Sequence, residues 1–340
     1  MVLLGVGFQR QSTIKGHSQI SYRDSSNFRI WSFSANAMAA KDKIAIVICS
    51  DDLTGSWISQ EDEALRNALA ERNLDFTQVA WDDQDACWED YSAILIRYTF
   101  DYVKKAEEFR TWVEERKSIG KPRMWNSPDV ILWNAHKRYL EYFRENGVNV
   151  PEIVYCEKGS AAPELIEVLS RRGWDKAVVK PAVSCGSYRL FAIETTDARA
   201  KQAEFEKYLQ EGDMMIQRYV PEIKSNGEYS LMYFDKMFSH AVIKFPADGD
   251  FRTSPCLGVI GIEPIDPPKH VLKMADRVVS LVKEDSLLYA RVDVIELENG
   301  EVTLIELEVI EPVLHLARKE GAADTFVAAL VRNMEASSLN

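Results

Sequence analysis

Arg291-Val-Asp-Val-Ile-Glu-Leu-Glu-Asn-Gly-Glu-Val-Thr-Leu-Ile-Glu-Leu-Glu-Val-Ile-Glu-Pro312 holds two strongly alternating runs separated by Glu298-Asn299-Gly300. Asn-Gly between alternating runs predicts a β-hairpin. Successive side chains of a strand point to opposite faces. Arg291, Asp293 and Ile295 therefore share one face of the first strand, and Glu306 and Glu308 share one face of the second. If those faces coincide, an arginine and three carboxylates occupy one patch, flanked by Val292, Val294, Leu304, Ile305, Leu307 and Val309. Carboxylates so close repel one another and raise their own pKa values unless a cation lies among them. A divalent ion with oxygen ligands fits, magnesium carrying a nucleotide phosphate being the commonest case. An acidic, solvated face of an edge strand fits the hairpin alone equally well, so the choice falls to the upstream sequence.

The chain has 340 residues, enough for two or three packed lobes. With 46% hydrophobic and 28% charged residues it has the composition of an ordinary globular protein. A net charge of −12 argues against a nucleic-acid surface. No run approaches the roughly 20 apolar residues of a membrane span. The five cysteines are scattered, without metal-ligand spacing or a disulfide framework, which implies a reducing, cytoplasmic setting. Residues 1–40 are basic and rich in Ser and Gln, with no acid before Asp24. An organelle transit peptide, a disordered tail and an over-extended start before Met38 all match that composition, and the cytoplasmic reading is preferred. The stretch is set apart from the fold.

Lys43–Cys49 reads as a buried strand. It is followed by a helix with Ser59 as N-cap candidate, strands at Phe76–Trp81 and Tyr91–Arg97, and a charged helix over Lys104–Lys117. This order predicts a parallel α/β lobe over residues 41–134. Arg97, Tyr98, Asp101 and Tyr102 lie where open α/β sheets place their ligands, and are candidates to contact substrate. A structural salt bridge is the plain alternative for Arg97 and Asp101. Ser127-Pro128 starts a helix expected to carry Lys137 and to end near Gly147. His136 has no partner that suggests a metal.

Residues 135–212 are expected to form a central lobe and residues 213–340 a C-terminal one. Ala177-Val-Val-Lys180-Pro-Ala-Val-Ser184-Cys-Gly186-Ser187 is a strand ending in lysine, then a loop of small residues whose backbone N–H groups can approach phosphate oxygens. It lacks the Gly-Lys-Ser/Thr run and the following helix of a P-loop. An ordinary hairpin loop with a surface lysine is the competing reading. Met214–Val220 is an apolar strand whose backbone can read an adenine edge, and Asn226–Lys244 alternates as an antiparallel hairpin. Asp250-Phe-Arg252 follows in a loop, a long helix covers Lys269–Lys283, and a last helix covers Asp324–Met334. Cys185 reads as a small residue tolerated beside glycine, since no histidine is placed to activate it.

In this order the features resemble the ATP-grasp superfamily: a lysine on a helix, a strand-end lysine with a small-residue loop, an apolar hinge strand, a glutamate on the next hairpin, Arg-x-Asp and Glu-x-Glu. Trp125-Asn-Ser-Pro-Asp-Val, Asn134-Ala-His-Lys, Asp250-Phe-Arg and Tyr289-Ala-Arg-Val-Asp are similar to the branch containing the cyclo-ligase of cycloserine biosynthesis. The resemblance spans from Lys43 to the end. It implies an N-terminal α/β lobe and two α+β lobes that clamp ATP and join a carboxylate to an amine.

Carried across residue by residue, it implies that Lys137 and Lys180 contact the ATP α- and β-phosphates and that Ser184, Gly186 and Ser187 belong to a phosphate lid. Gln217, Tyr219 and Val220 would border the adenine, with Tyr219 and Val220 reading it through the backbone, and Glu228 would take the ribose hydroxyls. Asp293, Glu306 and Glu308 would hold magnesium, with manganese as an alternative. Arg252 and Arg291 would face the transferred phosphoryl group and the substrate carboxylate. The superfamily most often has asparagine where this chain has Glu308, and Glu311 carries no role in the resemblance. The implied activity is an ATP- and magnesium-dependent ligase acting on a small amino acid or derivative through an acyl phosphate, with a linear or cyclic product, in secondary metabolism. A homodimer is the family-level expectation. A catalytically silent ATP-binding partner and a small-molecule kinase are the competing readings.

Overall fold

The computed structural model describes residues 43–50, 56–253, 261–284 and 287–338. The expectations for residues 1–40, Asp51-Asp52 and Cys256 lie outside them.

The first sheet is built from β1 (Lys43–Ile48), β2 (Asp75–Ala80), β3 (Ala93–Tyr98) and β4 (Arg123–Trp125), all parallel, in the order β2-β1-β3-β4. Its central strands are apolar on both faces because both are covered. Ile44, Ile46 and Leu95 pack on one side with α1 (Ser56–Glu71) and α8 (Ala322–Ser338). Ala45, Val47, Ile94 and Ile96 pack on the other with α2 (Ala106–Ile119). α1 begins at Ser56, about one turn before the expected Ser59. α2 is capped by Gly120 at φ 71.

The region expected to be one helix from Ser127 to Gly147 is two. α3 (Pro128–Ala135) is capped by the Ser127 hydroxyl, which accepts from Val130 N, and it ends at His136, whose backbone is extended. α4 (Tyr139–Glu145) starts after Lys137 and Arg138. The break follows from tertiary hydrogen bonds: Lys137 N donates to Ala182 O at 2.8 Å, and the Tyr155 hydroxyl donates to Lys137 O at 2.9 Å.

The second sheet is antiparallel, in the order β5 (Ile153–Cys156), β8 (Met214–Arg218), β6 (Lys176–Pro181), β7 (Phe191–Glu194). α5 (Leu165–Arg172) and α6 (Ala198–Glu211) bury Leu165, Leu169, Phe205 and Leu209 against Ala177, Val179, Ile193 and Ile216. Met214–Arg218, on the C-terminal side of the expected 212/213 boundary, is thus a strand of the central sheet.

The third sheet is antiparallel, in the order β11 (Ile262–Ile265), β10 (Met237–Lys244), β9 (Glu228–Phe234), β12 (Tyr289–Glu296), β13 (Val302–Glu308). One face carries Tyr229, Leu231, Val292, Val294, Leu304 and Leu307, packed on α4 and α7 (Lys269–Leu281) through Leu140, Phe143, Ala275 and Val278. The opposite side chains, Glu228, Lys244, Arg291, Asp293, Glu306 and Glu308, line a cleft that is closed on its other side by the central sheet and its loop. No helix of the described residues is long and apolar enough to cross a membrane.

Candidate active site

Cross-strand register assembles the charged face. Asp293 lies opposite Ser230 on β9 and opposite Glu306 on β13, Arg291 lies opposite Glu308, and Glu228 lies opposite Lys244. Directly opposed residues share a face and nearly touch. Two single-residue bulges make this register. On β13, Val294 pairs with Leu304 but Asp293 pairs with Glu306, leaving Ile305 extra. Strict alternation from buried Leu304 would have turned Glu306 and Glu308 into the core, and the bulge turns them to the cleft. On β10, Phe238 pairs with Tyr233 but His240 pairs with Met232, leaving Ser239 extra. Unbulged, Ile243 would have faced Glu228, and the shift brings Lys244 there instead. The chain between β9 and the preceding turn is equally tight: at Gly227 (φ 69) a Cβ would lie 3.0 Å from Lys244 O.

Ion pairs tie the face together. Arg291 Nη2 lies 2.9 Å from Asp293 Oδ2 and 2.6 Å from Glu308 Oε1. Asp293 also accepts from the Ser230 hydroxyl. Lys244 Nζ lies 2.5 Å from Glu228 Oε1 and 3.7 Å from Asp293 Oδ1. Lys137 Nζ lies 2.6 Å from Glu306 Oε1 and donates to Ser184 O at 2.7 Å. Burial opposes ionisation of these acids, but the Arg291 and Lys244 charges hold Asp293 below the usual carboxylate range, and Lys137 with Lys180 does the same for Glu306. At Glu308 burial prevails: although Arg291 opposes it, Glu306 and Asp293 reinforce it, and the carboxyl is pushed up to about 7.

The oxygens of Asp293, Glu306 and Glu308 lie within 4.8 Å of one another. Three converging carboxylates match the all-oxygen donor set of a hard divalent cation. An anion has a matching place. Lys180 ends β6 and is 5% exposed in the cleft, with no ion-pair partner among the described residues. Burial, and then the Lys137 charge, bring it down to about 8. Beside it, Ser184 Oγ donates to Pro181 O, while Gly186 and Ser187 take left-handed backbone at φ 55 and φ 64. A turn of this kind aims backbone N–H groups outward as an anion-binding concavity.

The hinge strand borders the same cleft with Gln217, Tyr219 and Val220. Gln217 is buried and its amide nitrogen has no acceptor among the described residues. The Tyr219 N–H already donates to Lys176 O at 3.2 Å, so it is not available to read an adenine. Of the backbone groups expected there, the Tyr219 carbonyl and the Val220 N–H remain. Arg252 stands at the mouth, paired with Asp250 at 2.7 Å and about one-third exposed.

The residues that the resemblance places on the nucleotide, the metal and the transferred group all line this one cleft, which encloses ≈ 1160 Å³ of empty space including its open mouth. The first-lobe candidates do not join them. Arg97 is 0% exposed and bound to Glu61 at 2.7 Å and to Pro312 O. Asp101 accepts from Trp81 Nε1 at 2.8 Å, and Tyr98 and Tyr102 are buried. From that stretch only Phe100 reaches the cleft. His136 pairs with Asp213 at 3.1 Å. The Cys185 thiol, which burial pushes well above its ordinary value, donates to Phe100 O at 3.3 Å and is no activated nucleophile. Two charged cleft residues escaped the sequence reading of roles: Lys244, whose register depends on a bulge, and Glu311.

The family models fit this architecture. One described as "Prokaryotic glutathione synthetase, ATP-grasp domain" matches residues 159–315, which contain the small-residue loop, the hinge and the acidic hairpin. The chain has the ATP-grasp fold. Ahead of its ATP-grasp lobes, residues 44–126 match the model described as "D-cycloserine synthetase DcsG, N-terminal domain". The cycloserine biosynthesis protein DcsG of Streptomyces lavendulae is 25% identical over 264 residues, covering 75% of this chain and 87% of that protein. The crystal structure of D-cycloserine synthetase DcsG superposes with a TM-score of 0.75 at 22% identity, covering 86% of this chain and 99% of that one. D-alanine–D-alanine ligase from Bacillus anthracis, in complex with ATP, shares the ATP-grasp fold at a TM-score of 0.65 and 14% identity, over 87% of this chain and 98% of that one.

Proposed function

We propose that this ATP-grasp protein is an ATP-dependent carboxylate ligase of secondary metabolism, acting on a small amino acid or derivative. The observation that carries the reading is the pairing, in one cleft, of a three-carboxylate cluster with the unpartnered buried Lys180. Lys137 and Arg291 are ion-paired with these acids. Asp293, Glu306 and Glu308 would hold a divalent metal, and Lys137, Lys180 and Arg291 would be available to phosphate oxygens.

Lys137 and Lys180 bind the α- and β-phosphates, and the 184–187 turn covers them. Gln217, Val220 and the Tyr219 carbonyl hold the adenine. Glu228 accepts from the ribose hydroxyls once Lys244 shifts toward phosphate. Asp293, Glu306 and Glu308 would hold magnesium, which would supply charge neutralisation for phosphoryl transfer. The substrate carboxylate oxygen attacks the γ-phosphorus, the bond to ADP breaks, and an acyl phosphate forms. An amine then attacks the acyl carbon, phosphate leaves, and the nitrogen gives up a proton. Arg291 and Arg252 orient the phosphoryl group and the carboxylate. Phosphoryl transfer needs mostly position and charge, which these residues supply. The acyl phosphate must be kept from water, and the central lobe serves as that cover.

Trapping with hydroxylamine tests this. Incubation with Mg-ATP, hydroxylamine and a panel of amino acids should release ADP and form a hydroxamate from at least one of them. ADP release without hydroxamate would identify a kinase. ATP binding with no ADP release from any acid would identify a silent nucleotide-binding protein.

A further inference from the structure

Five acids line the cleft, and four of them are ion-paired: Glu228 with Lys244, Asp293 with Arg291, Glu306 with Lys137, and Glu308 with Arg291. Glu311 is the fifth. It is 4% exposed, lines the cleft, and makes no ion pair among the described residues. It also falls outside the group of carboxylates close enough together to hold one metal. Burial and the Glu308 charge push its carboxyl up to about 8. A carboxyl so placed stays largely protonated near neutral pH and ionises when a cation beside it offsets the burial of its charge.

The surroundings of Glu311 indicate what brings that cation. Cys185 lies within hydrogen-bonding reach of the Glu311 carboxyl, and Phe100 O, which accepts from the same thiol at 3.3 Å, belongs to the segment by which the first lobe borders the cleft. Val313 adds an apolar wall. Lys137, Lys244 and Arg291 are paired with the other acids, and Lys180 is assigned to phosphate in the reading above, so the cation left for Glu311 is one the ligand brings. A primary ammonium carries three N–H donors and suits a carboxylate plus a backbone carbonyl.

We infer that Glu311, with the Phe100 carbonyl, forms the subsite for the protonated amine of the amino-acid substrate, beyond the metal cluster and on the side of the first lobe. Glu311 is thereby a specificity residue: it selects acids bearing a free ammonium over those with a neutral nitrogen. This rests on the ligase reading above.

The test compares each amino acid of a panel with its N-acetyl derivative, which keeps the carboxylate and removes the positive charge, using hydroxamate formation so that no amine acceptor need be known. The parent protein should favour free over acetylated acids by about 100-fold in kcat/KM, a factor typical of losing a charge-assisted contact. Glu311→Gln should abolish that preference by raising KM for the free acid, with KM for ATP unchanged. Glu311→Asp should restore part of it. Equal turnover of acetylated acids by the parent, or a preference that survives Glu311→Gln, overturns the subsite and leaves the ligase standing. A Glu311→Gln protein that merely needs more magnesium, at an unchanged preference, also overturns it. A panel silent for free and acetylated acids alike, with ATP still bound, overturns the ligase reading and the subsite with it.

Discussion

Arg97 and Arg291 both stand on buried strands, and both contact carboxylates, yet they serve different ends. Arg97 is sealed: Glu61 holds one nitrogen, and its guanidinium carbon lies 5.1 Å, 5.5 Å and 5.7 Å from the ring centres of Tyr98, Tyr289 and Phe326. Glu61 also accepts from Leu314 N at 2.7 Å, so the pair fastens α1 to the segment that leaves β13. Arg291 is as deeply placed but opens on the cleft, shared between Asp293 and Glu308. A charge sealed in by aromatic faces can only hold the fold. A charge on a cleft wall can exchange partners when a ligand arrives. The face of the strand, not the residue type, separates the two.

Breaking the sealed pair should have the largest effect. Glu61→Gln leaves Arg97 buried without a counter-charge and should cost about 3–5 kcal/mol in denaturant unfolding, with ADP release per folded molecule unchanged. Glu308→Gln on the open side should leave stability within about 1 kcal/mol of the parent, because Arg291 keeps Asp293 and a repelling charge is removed. Equal losses from the two changes would erase the distinction.

Lys180 gives the next effect, of about tenfold per pH unit. Its ordinary value of 10.5 falls to about 8, chiefly through burial. Between those two values the unfolded chain binds the proton and the folded chain does not, so this lysine makes stability rise with pH in that window. ATP binding runs the other way: it needs the charged amine, and affinity should fall as pH climbs past about 8. Lys180→Arg, charged throughout, should flatten that limb in a pH series of ATP affinity. The smallest effect belongs to Arg252, whose partner Asp250 is partly exposed at the mouth. Arg252→Ala should change unfolding free energy by less than about 1 kcal/mol, and a larger loss would show that the loop is part of the core framework.

The hairpin, the parallel first sheet and the order of site residues were legible in the sequence because their signals are local: Asn299-Gly300, period-two alternation, and apolar strands spaced by helices. The two bulges were not. An extra Ile305 or Ser239 leaves no mark in a sequence until the pairing partners are known, and each moves a charged residue from one face to the other. That is why Lys244 went unassigned and why the coincidence of the acidic faces stood as a condition. The break at His136 has no Gly or Pro to announce it, since the hydrogen bond from Lys137 N to Ala182 O, far along the chain, decides it. Arg97 was drawn toward the ligand by its strand-end position, whereas Glu61, which claims it, lies on a helix 36 residues away.

The central claim is that one cleft holds a metal–triphosphate through the Asp293, Glu306 and Glu308 carboxylates on one side and Lys137 and Lys180 on the other. Calorimetric titration of ATP, with and without magnesium, into the parent and an Asp293→Asn, Glu306→Gln double variant measures it directly. The account predicts that magnesium tightens ATP binding to the parent by about 100-fold, some 3 kcal/mol, and has little effect on the variant. ATP binding indifferent to magnesium in the parent, or equally enhanced by it in both proteins, would contradict the account.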